Sequence, residues 1–131
     1  MAISVHDALD IDQLICRYNF ALDRGDAEAF ADCFTPDGVF LLMGQEQARG
    51  REALIAYVRE LGAPGQLRHV VTSVLSEGTG EEASSQAYCT VFSSAPGSGT
   101  QVIAQGVYGD QLIRESGVWR FTKRDFTPDP A

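Results

Sequence analysis

The first 34 residues show the spacing of amphipathic helices. Apolar side chains recur every three or four positions and define one stripe, formed by Ile11, Leu14, Ile15, Tyr18 and Leu22. Gly25 interrupts this pattern, and Asp26 can cap a second, short helix with apolar residues Ala27, Phe30, Ala31 and Phe34. The spacing therefore predicts a helical hairpin between residues 11 and 34.

Asp23 lies at the end of the first predicted helix, on the boundary between the apolar stripe and the polar face. Asn19, Cys16 and Asp12 precede it by four, seven and eleven residues, so they form a polar stripe beside the apolar one. A carboxylate in this position can be solvated, or it can point into a cavity and bind another group.

The segment that follows combines a short strand with a third helix. Pro36 and Gly38 indicate a turn at residues 35–38, and the apolar run at residues 39–43 has the length of a strand. Residues 45–49 are polar and are predicted to form a loop. Helical spacing returns over residues 51–61 and ends at Gly62.

In the second half of the chain the period changes to two, which indicates β-strands. The predicted strands span residues 67–75, 83–94, 101–114 and 118–126. Short turns join them, and this favours a curled, mostly antiparallel sheet. We therefore predict a single α+β domain over residues 1–131, a cone-shaped barrel in which three N-terminal helices cover the sheet and leave a cavity.

Composition and charge narrow the choice of partner and location. The chain has 18 acidic and 10 basic residues and a net charge of −8, so no basic surface is available for nucleic acid or an anionic membrane. The same charge predicts that anionic substrates are disfavoured. Cys16, Cys33 and Cys89 indicate reduced, mostly buried thiols rather than a disulfide framework. The start of the chain resembles neither a signal peptide nor a membrane span, which predicts a cytoplasmic protein.

Two stretches carry a family resemblance. Residues 21–40, ALDRGDAEAFADCFTPDGVF, and residues 117–126, GVWRFTKRDF, resemble the nuclear transport factor 2-like superfamily and, within it, the SnoaL-like branch. The resemblance covers nearly the whole chain and implies the cone-shaped fold. It does not select one activity, because this fold carries dehydratases, isomerases, hydrolases, cyclases and subunits without catalytic activity.

Within that superfamily the chain resembles the scytalone dehydratase and γ-hexachlorocyclohexane dehydrochlorinase group. Those enzymes pair a strand histidine, the base, with an aspartate at the end of the first helix, and the matching residues here are His69 and Asp23. The dehydrochlorinase pattern also has an arginine on the last strand, matched by Arg124, and a first-helix lysine, replaced here by Tyr18. The ketosteroid isomerase pattern requires a carboxylate on the first strand, and residues 39–43 contain none.

A histidine and an aspartate in this arrangement can act as a general base. The carboxylate accepts a hydrogen bond from one imidazole nitrogen and stabilises the imidazolium that forms when the other nitrogen takes a proton. Such chemistry suits eliminations and enolisations. His69 is the candidate base because the other histidine, His6, lies near the N-terminus.

Each of these residues also has a structural interpretation. His69 can be satisfied at a strand edge by backbone or water, and Asp23 can lie in solvent at the helix end. Tyr18 fits either a core position or a cavity wall. Arg124 falls on the opposite face from Trp119 by alternation, so it meets either the cavity or solvent. The pair of His69 and Asp23 favours function because both residues occupy the positions that the family uses. We therefore predict His69, Asp23, Tyr18 and Arg124 as the catalytic residues.

We therefore predict a cofactor-independent lyase or isomerase that acts on a small, hydrophobic, cyclic molecule. Its apolar pocket is predicted to be lined by Leu41, Met43, Val71 and Phe92. Asp110 and Asp125 lie on predicted strands and could be pocket carboxylates, but exposure to solvent at strand ends is the favoured interpretation. The sequence has no HxH or HExxH motif that would indicate a metal and no glycine-rich phosphate loop that would indicate a nucleotide.

Two alternatives come from other functional classes. One is a non-catalytic subunit resembling the small subunit of aromatic-ring dioxygenases, in which the cone only builds an oligomer. The other is a small-molecule binding module, which would keep the pocket without needing His69. We also predict a homodimer or homotrimer, because the long strands carry an apolar outer face formed by Val102, Ala104, Tyr108 and Leu112.

Overall fold

The computed structural model describes residues 2–62 and 66–130. Three helices and six strands form in these residues. In chain order they are α1 (Val5–Arg24), α2 (Ala27–Asp32), β1 (Phe34–Leu42), β2 (Gln45–Arg49), α3 (Arg51–Leu61), β3 (Gln66–Gly78), β4 (Glu82–Ala95), β5 (Gly99–Glu115) and β6 (Val118–Pro128).

The strands form one mixed sheet in the order β2-β1-β6-β5-β4-β3. Only the pairing of β1 with β6 is parallel among those described, and the other four pairings are antiparallel. The sheet is curled but does not close, so β3 lies at one edge. This arrangement confirms the predicted α+β fold, with N-terminal helices packed against a curled sheet.

The helix ends follow the predicted capping chemistry. Ser4 caps α1 by accepting the backbone N–H of Asp7, so this helix begins six residues before the apolar stripe was recognised at Ile11. Gly25 ends α1 in the left-handed conformation, with φ of 70°, and its N–H donates to the carbonyl groups of the last turn. Asp26 caps α2 by accepting the N–H of Ala29. Both predicted helix boundaries around Gly25 are confirmed.

The segment between α2 and α3 differs from the prediction. Residues 35–38 lie within β1 instead of a separate turn, and residues 45–49, predicted as a loop, form β2. The two strands make a hairpin in which Leu42 pairs with Gln45. Met43 and Gly44 connect them with φ of 52° and 76°, the positive values that a two-residue hairpin turn requires. β2 lies at a sheet edge and its side chains are mostly exposed, so its polar sequence lacks the alternation that would predict a strand.

An irregularity changes the alternation within β3. Ser73 has a φ of 57°, and the register with β4 shifts between Thr72 and Leu75. A bulge of this kind moves the following side chains to the other face. Leu75, which strict alternation would place on the same face as His69, is therefore 54% exposed, while Val74 packs against the core.

The space between the helices and the sheet is filled with aromatic side chains. The ring of Tyr18 lies 5.0 Å from that of Phe30 and 5.9 Å from those of Tyr108 and Phe121. Tyr108 and Leu112 belong to this buried core, so their predicted place on the outer face of the sheet is wrong. Val102 is exposed and Ala104 is half-buried, so fewer apolar residues of β5 are available to the outer face than predicted.

Candidate active site

Asp23 is presented by the last turn of α1. The left-handed Gly25 ends the helix two residues later, and the chain then turns towards α2. A carboxylate near a helix C-terminus faces the negative end of the helix dipole, so it needs donors to be stable when buried. The side chain of Asp23 is only 9% exposed, and donors from β3 surround it.

His69 supplies those donors from the edge strand β3. Its backbone N–H donates to Oδ2 of Asp23 at 3.0 Å and to Oδ1 at 3.3 Å. Its ring nitrogen Nδ1 lies 2.5 Å from Oδ1 of Asp23. An edge strand has backbone N–H groups without a neighbouring strand, so β3 can bind the carboxylate in this way. The structure thus brings the two predicted residues into direct contact.

This geometry assigns different tasks to the two imidazole nitrogens. A carboxylate that accepts the proton of Nδ1 leaves Nε2 as the nitrogen with a free lone pair. Nε2 makes no hydrogen bond to any residue in the described part of the chain. The site can therefore take up a proton at Nε2 while Asp23 balances the resulting positive charge.

The same contact also ties α1 to the edge of the sheet. Because the Asp23 carboxylate accepts the backbone N–H of His69 as well as facing its ring, removal of the carboxylate would loosen both groups. The structural interpretation of Asp23 as a tether and the chemical one as a partner of the base are compatible. They differ in whether Nε2 of His69 accepts a proton from a substrate.

A partly open cavity of about 400 Å³ adjoins this contact. It lies at the end of α1 and the start of β3 and is lined by Phe20, Asp23, Arg24, Gln66 and Arg68. This volume falls in the range of small-molecule sites, about 300–1,000 Å³. The lining includes arginine and aromatic side chains that were not predicted from the sequence.

The four predicted lining residues are placed differently from one another. Val71 is half-buried, lies two residues after His69 on the same face of β3 and packs against the core. Leu41 is half-buried on β1, and Phe92 is half-buried on β4 next to the buried Val91. Met43 lies in the hairpin turn and is 63% exposed, a position that does not favour a lining role.

Arg124 is fully buried, and the alternation argument that placed it opposite Trp119 is wrong. The register of β5 with β6 passes from Leu112–Phe121 to Gln111–Lys123, so Thr122 is skipped. This bulge turns Arg124 to the same face as Trp119 and Phe121. Its guanidinium carbon lies 3.5 Å from the ring centre of Tyr108 and 4.2 Å from that of Tyr18, in the geometry of cation–π contacts.

Asp110 is the charged partner of Arg124, and its predicted exposure to solvent is wrong. Nε of Arg124 lies 3.2 Å from Oδ1 of Asp110, and both side chains are 0% exposed. Burial raises the pKa of Asp110 to about 6, and the positive charge of Arg124 opposes the rise. Asp125, the other predicted strand-end carboxylate, is half-buried and accepts the backbone N–H of Gly44 at 3.1 Å.

Several polar atoms in this buried cluster lack a hydrogen-bond partner among the described residues. They are the hydroxyl of Tyr18, Oδ1 of Asn19, both carboxylate oxygens of Asp110 and the three guanidinium nitrogens of Arg124. Burial raises the pKa of Tyr18 well above its ordinary value, so its hydroxyl stays neutral. This cluster forms a polar centre inside an aromatic core. Burying polar groups without hydrogen-bond partners costs folding free energy.

The structure groups the four predicted catalytic residues into two pairs. Asp23 contacts His69, and Tyr18 contacts Arg124. Within the described residues no hydrogen bond or ion pair joins the pairs, and β6 is three strands from β3, about 14 Å across a sheet. The buried thiol of Cys89 lies between them: burial raises its pKa, Arg124 opposes the rise and Asp23 adds to it.

Asp7 is a further buried carboxylate that the sequence did not indicate. The indole N–H of Trp119 donates to its Oδ1 at 3.0 Å, and Arg114 lies 3.4 Å from the same oxygen. The Trp119 hydrogen bond holds the pKa of Asp7 below its ordinary value, against the opposing effect of burial. This contact joins the start of α1 to the β5–β6 hairpin and has a structural role.

Among the described residues, no three side chains of histidine, cysteine, aspartate or glutamate come together as metal ligands. The three cysteines are free; Cys33 and Cys89 are buried and Cys16 is exposed. None of the described helices is long and apolar enough to cross a membrane.

Comparison with known proteins places the chain in a family. No curated protein matches it. Among solved structures, Rv3472 from Mycobacterium tuberculosis, a protein of unknown function, is 32% identical over 95% of this chain and 73% of its own, with a TM-score of 0.89. A protein from Catenulispora acidiphila, solved in complex with S-DNPA, is 29% identical over 96% of each chain, with a TM-score of 0.86.

The β subunit of a putative aromatic-ring-hydroxylating dioxygenase from Novosphingobium aromaticivorans is 22% identical over 95% of this chain and 90% of its own. Its TM-score of 0.80 shows a shared fold alone. The family model described as a SnoaL-like domain matches residues 4–125, nearly the whole chain. This chain is therefore a member of the SnoaL-like domain family, as its sequence patterns predicted.

Proposed function

We propose that this protein is a cofactor-independent lyase or isomerase for a small hydrophobic cyclic molecule. The observation that carries the proposal is the contact between Nδ1 of His69 and Asp23, which leaves Nε2 without a hydrogen bond to the described residues, while Asp23 lines an adjoining cavity. Membership of the SnoaL-like family supports it, because the resemblance includes dehydratases and isomerases. The Catenulispora relative was solved in complex with S-DNPA, which supports a ligand site in this fold.

In the proposed reaction, Nε2 of His69 takes a proton from a carbon next to a carbonyl or a leaving group. The electron pair of the broken C–H bond becomes the new carbon–carbon double bond, either of an enolate or of an alkene from which the leaving group departs with its own bonding pair. Asp23 holds the ring in position and stabilises the imidazolium. A positioned base of this kind typically contributes about 10²–10⁴-fold to the rate.

Tyr18 and Arg124 enter the proposal as the inner wall of the site. Both are fully buried and in contact with each other, and the guanidinium of Arg124 faces Asp110 as an ion pair at 3.2 Å without an aligned hydrogen bond. A substrate oxygen that reached this depth would find donors there. Such contact requires the aromatic packing around Tyr18 to open.

Substitution of the dyad tests the proposal. A thermal-shift screen of cyclic hydroxyketones and halogenated rings would first identify a substrate. We expect His69→Gln to abolish turnover while ligand binding persists, and Asp23→Asn to reduce the rate strongly through loss of ring orientation. The double variant should be no slower than His69→Gln, because both residues serve one proton transfer. His6→Gln is the matched control, since His6 is exposed on α1; normal turnover in His69→Gln would end the proposal.

A non-catalytic subunit or binding module is the second candidate. The observation that favours it is the hydrogen bond from the His69 backbone to Asp23, which gives the pair a structural use without any chemistry. A subunit of this kind would not convert any ligand to product. Asp23→Asn would then lower its stability and have no other effect.

We also propose that the protein forms a homodimer or homotrimer through the outer face of the sheet. Exposed apolar side chains lie there on neighbouring strands: Val70 on β3, Tyr88 on β4 and Val102 on β5. Tyr88 is 60% exposed, which is unusual for an aromatic side chain in the middle of a strand. A contiguous apolar patch on a sheet is typical of a protein interface. The cytoplasmic location predicted from the sequence remains part of this proposal.

A further inference from the structure

The mouth of the cavity beside the dyad carries two arginines. Arg24 is the last residue of α1, directly after Asp23, and Arg68 directly precedes His69 on β3. Both side chains line the cavity, and Phe20 lies between them and the end of α1 as an exposed aromatic ring. The two residues that flank the dyad in sequence therefore bring two positive charges to its entrance.

Neither of these guanidinium groups is neutralised by a carboxylate in the described part of the chain. Arg24 stacks on the ring of Phe20, with its guanidinium carbon 4.7 Å from the ring centre. Nη1 of Arg68 donates to the backbone carbonyl of Leu67 at 3.1 Å, which leaves its other N–H groups free. By contrast, Arg49, Arg51, Arg114 and Arg124 each form an ion pair.

Asp23 also lines the cavity, but its carboxylate faces His69 and forms no ion pair with either arginine among the described residues. Its two oxygens take the backbone N–H and Nδ1 of that residue. The cavity thus presents N–H donors and an aromatic face, and it reaches the dyad through Asp23, which lines it beside the two arginines. This is a site for a molecule with an anionic end and an apolar ring.

We infer that the substrate carries a carboxylate or a similar anionic group on its ring system, bound by Arg24 and Arg68 at the mouth of the cavity. The inference rests on the proposed function and specifies its substrate class. Phe20 stacks on the ring, and the anchored anion holds the ring beside Asp23 of the dyad. No covalent step involves the arginines.

The local positive charge revises the expectation that an acidic protein disfavours anions. A net charge of −8 is spread over the whole surface. At physiological salt its effect decays over about 8 Å, so a ligand in the cavity responds mainly to the nearest charges. The nearest unpaired charges are those of Arg24 and Arg68.

The experiment compares two probes that share a ring system and differ in charge, 2-naphthoate and 2-naphthamide. We expect the wild-type protein to bind naphthoate about tenfold or more tightly, with a preference that shrinks as salt is added. Arg24→Gln and Arg68→Gln should each weaken naphthoate binding about fivefold and leave naphthamide binding unchanged. Arg59→Gln is the matched control, because Arg59 lies in the last turn of α3, away from this cavity.

The outcomes separate this inference from the proposed function. Equal binding of the two probes, no binding of naphthoate at millimolar concentration, or an equal loss in Arg59→Gln would each overturn the anionic substrate class. The proposed chemistry would then stand or fall on the His69→Gln turnover experiment with neutral rings. Conversely, a preference for naphthoate that needs both arginines, together with normal turnover in His69→Gln, would establish the anion site and overturn the base.

Discussion

Replacing Asp110 with Asn tests the electrostatics of the polar centre beneath the aromatic core. Asparagine keeps the volume of the side chain and removes the ionisable group. In the native protein, burial raises the pKa of Asp110 to about 6 from an ordinary value of 3.8, although Arg124 opposes the rise. The folded chain therefore holds the Asp110 proton more tightly than the unfolded chain does.

The sign and size of the effect follow from this difference. A carboxyl whose pKa is raised by folding contributes stability fully below the unfolded pKa of 3.8, and that contribution is lost as the pH rises through about 6. At 1.36 kcal/mol for each tenfold change in proton affinity, the loss amounts to about 3 kcal/mol. The free energy of unfolding of the wild type, measured against Asp110→Asn, should fall by this amount between about pH 4 and pH 6 and stay level above pH 7.

Urea unfolding at a series of pH values provides the assay. The fluorescence of Trp119, the single tryptophan, reports the transition because this side chain is buried in the native state. Asp12→Asn on the exposed face of α1 controls for the change in net charge. If the wild type gains stability relative to Asp110→Asn as the pH rises from 4 to 6, then Arg124 outweighs burial and the reasoning is wrong.

Two further predictions concern stability and assembly. In the same urea titration, Asp7→Ala should lower the free energy of unfolding by about 1–3 kcal/mol, because it leaves the buried indole N–H of Trp119 without an acceptor. The control Asp10→Ala, in a surface pair on the same helix, should change that free energy by less than about 0.5 kcal/mol. Tyr88→Glu should convert the oligomer into a monomer by placing a charge in the outer-face patch with Val70. Sedimentation of the wild type as a monomer at micromolar concentration would contradict the interface.

The parts of the fold that local chemistry specifies were predictable from the sequence. Gly25 ends one helix and Asp26 begins the next because the left-handed cap and the side-chain acceptor are properties of single residues. The pairing of Asp23 with His69 was also foreseen, from the family resemblance and from the position of Asp23 at the helix end. The two helix caps need no knowledge of the neighbouring strands, whereas the pairing with His69 on β3 came from the resemblance.

The parts that depend on register were not predictable. Bulges at Ser73 and Thr122 reverse the alternation of β3 and β6, and no local pattern in the sequence announces either one. The reversal at Thr122 buries Arg124, which strict alternation had separated from Trp119. The strand β2 was missed because one edge strand can be almost entirely polar.

The burial of Asp110 could have been found in the sequence. It shares the parity of Tyr108 and Leu112 on β5, and all three point into the core. The apolar pair was assigned to an outer interface, and Asp110 was assigned to solvent as a strand-end residue. Recognising two large apolar side chains on a long central strand as core would have placed a buried carboxylate there and suggested Arg124 as its partner.

The central claim, that Nε2 of His69 removes a proton from carbon with the help of Asp23, is tested most directly by hydrogen exchange of a bound ligand. A cyclic ketone or its carboxylated analogue is incubated with the protein in D₂O, and deuterium incorporation at the acidic carbon is followed by NMR. We predict rapid incorporation with the wild type and His6→Gln, about 10²–10⁴-fold slower incorporation with His69→Gln, and a strong reduction with Asp23→Asn. Incorporation at an unchanged rate in His69→Gln, with the ligand still bound, would contradict the claim.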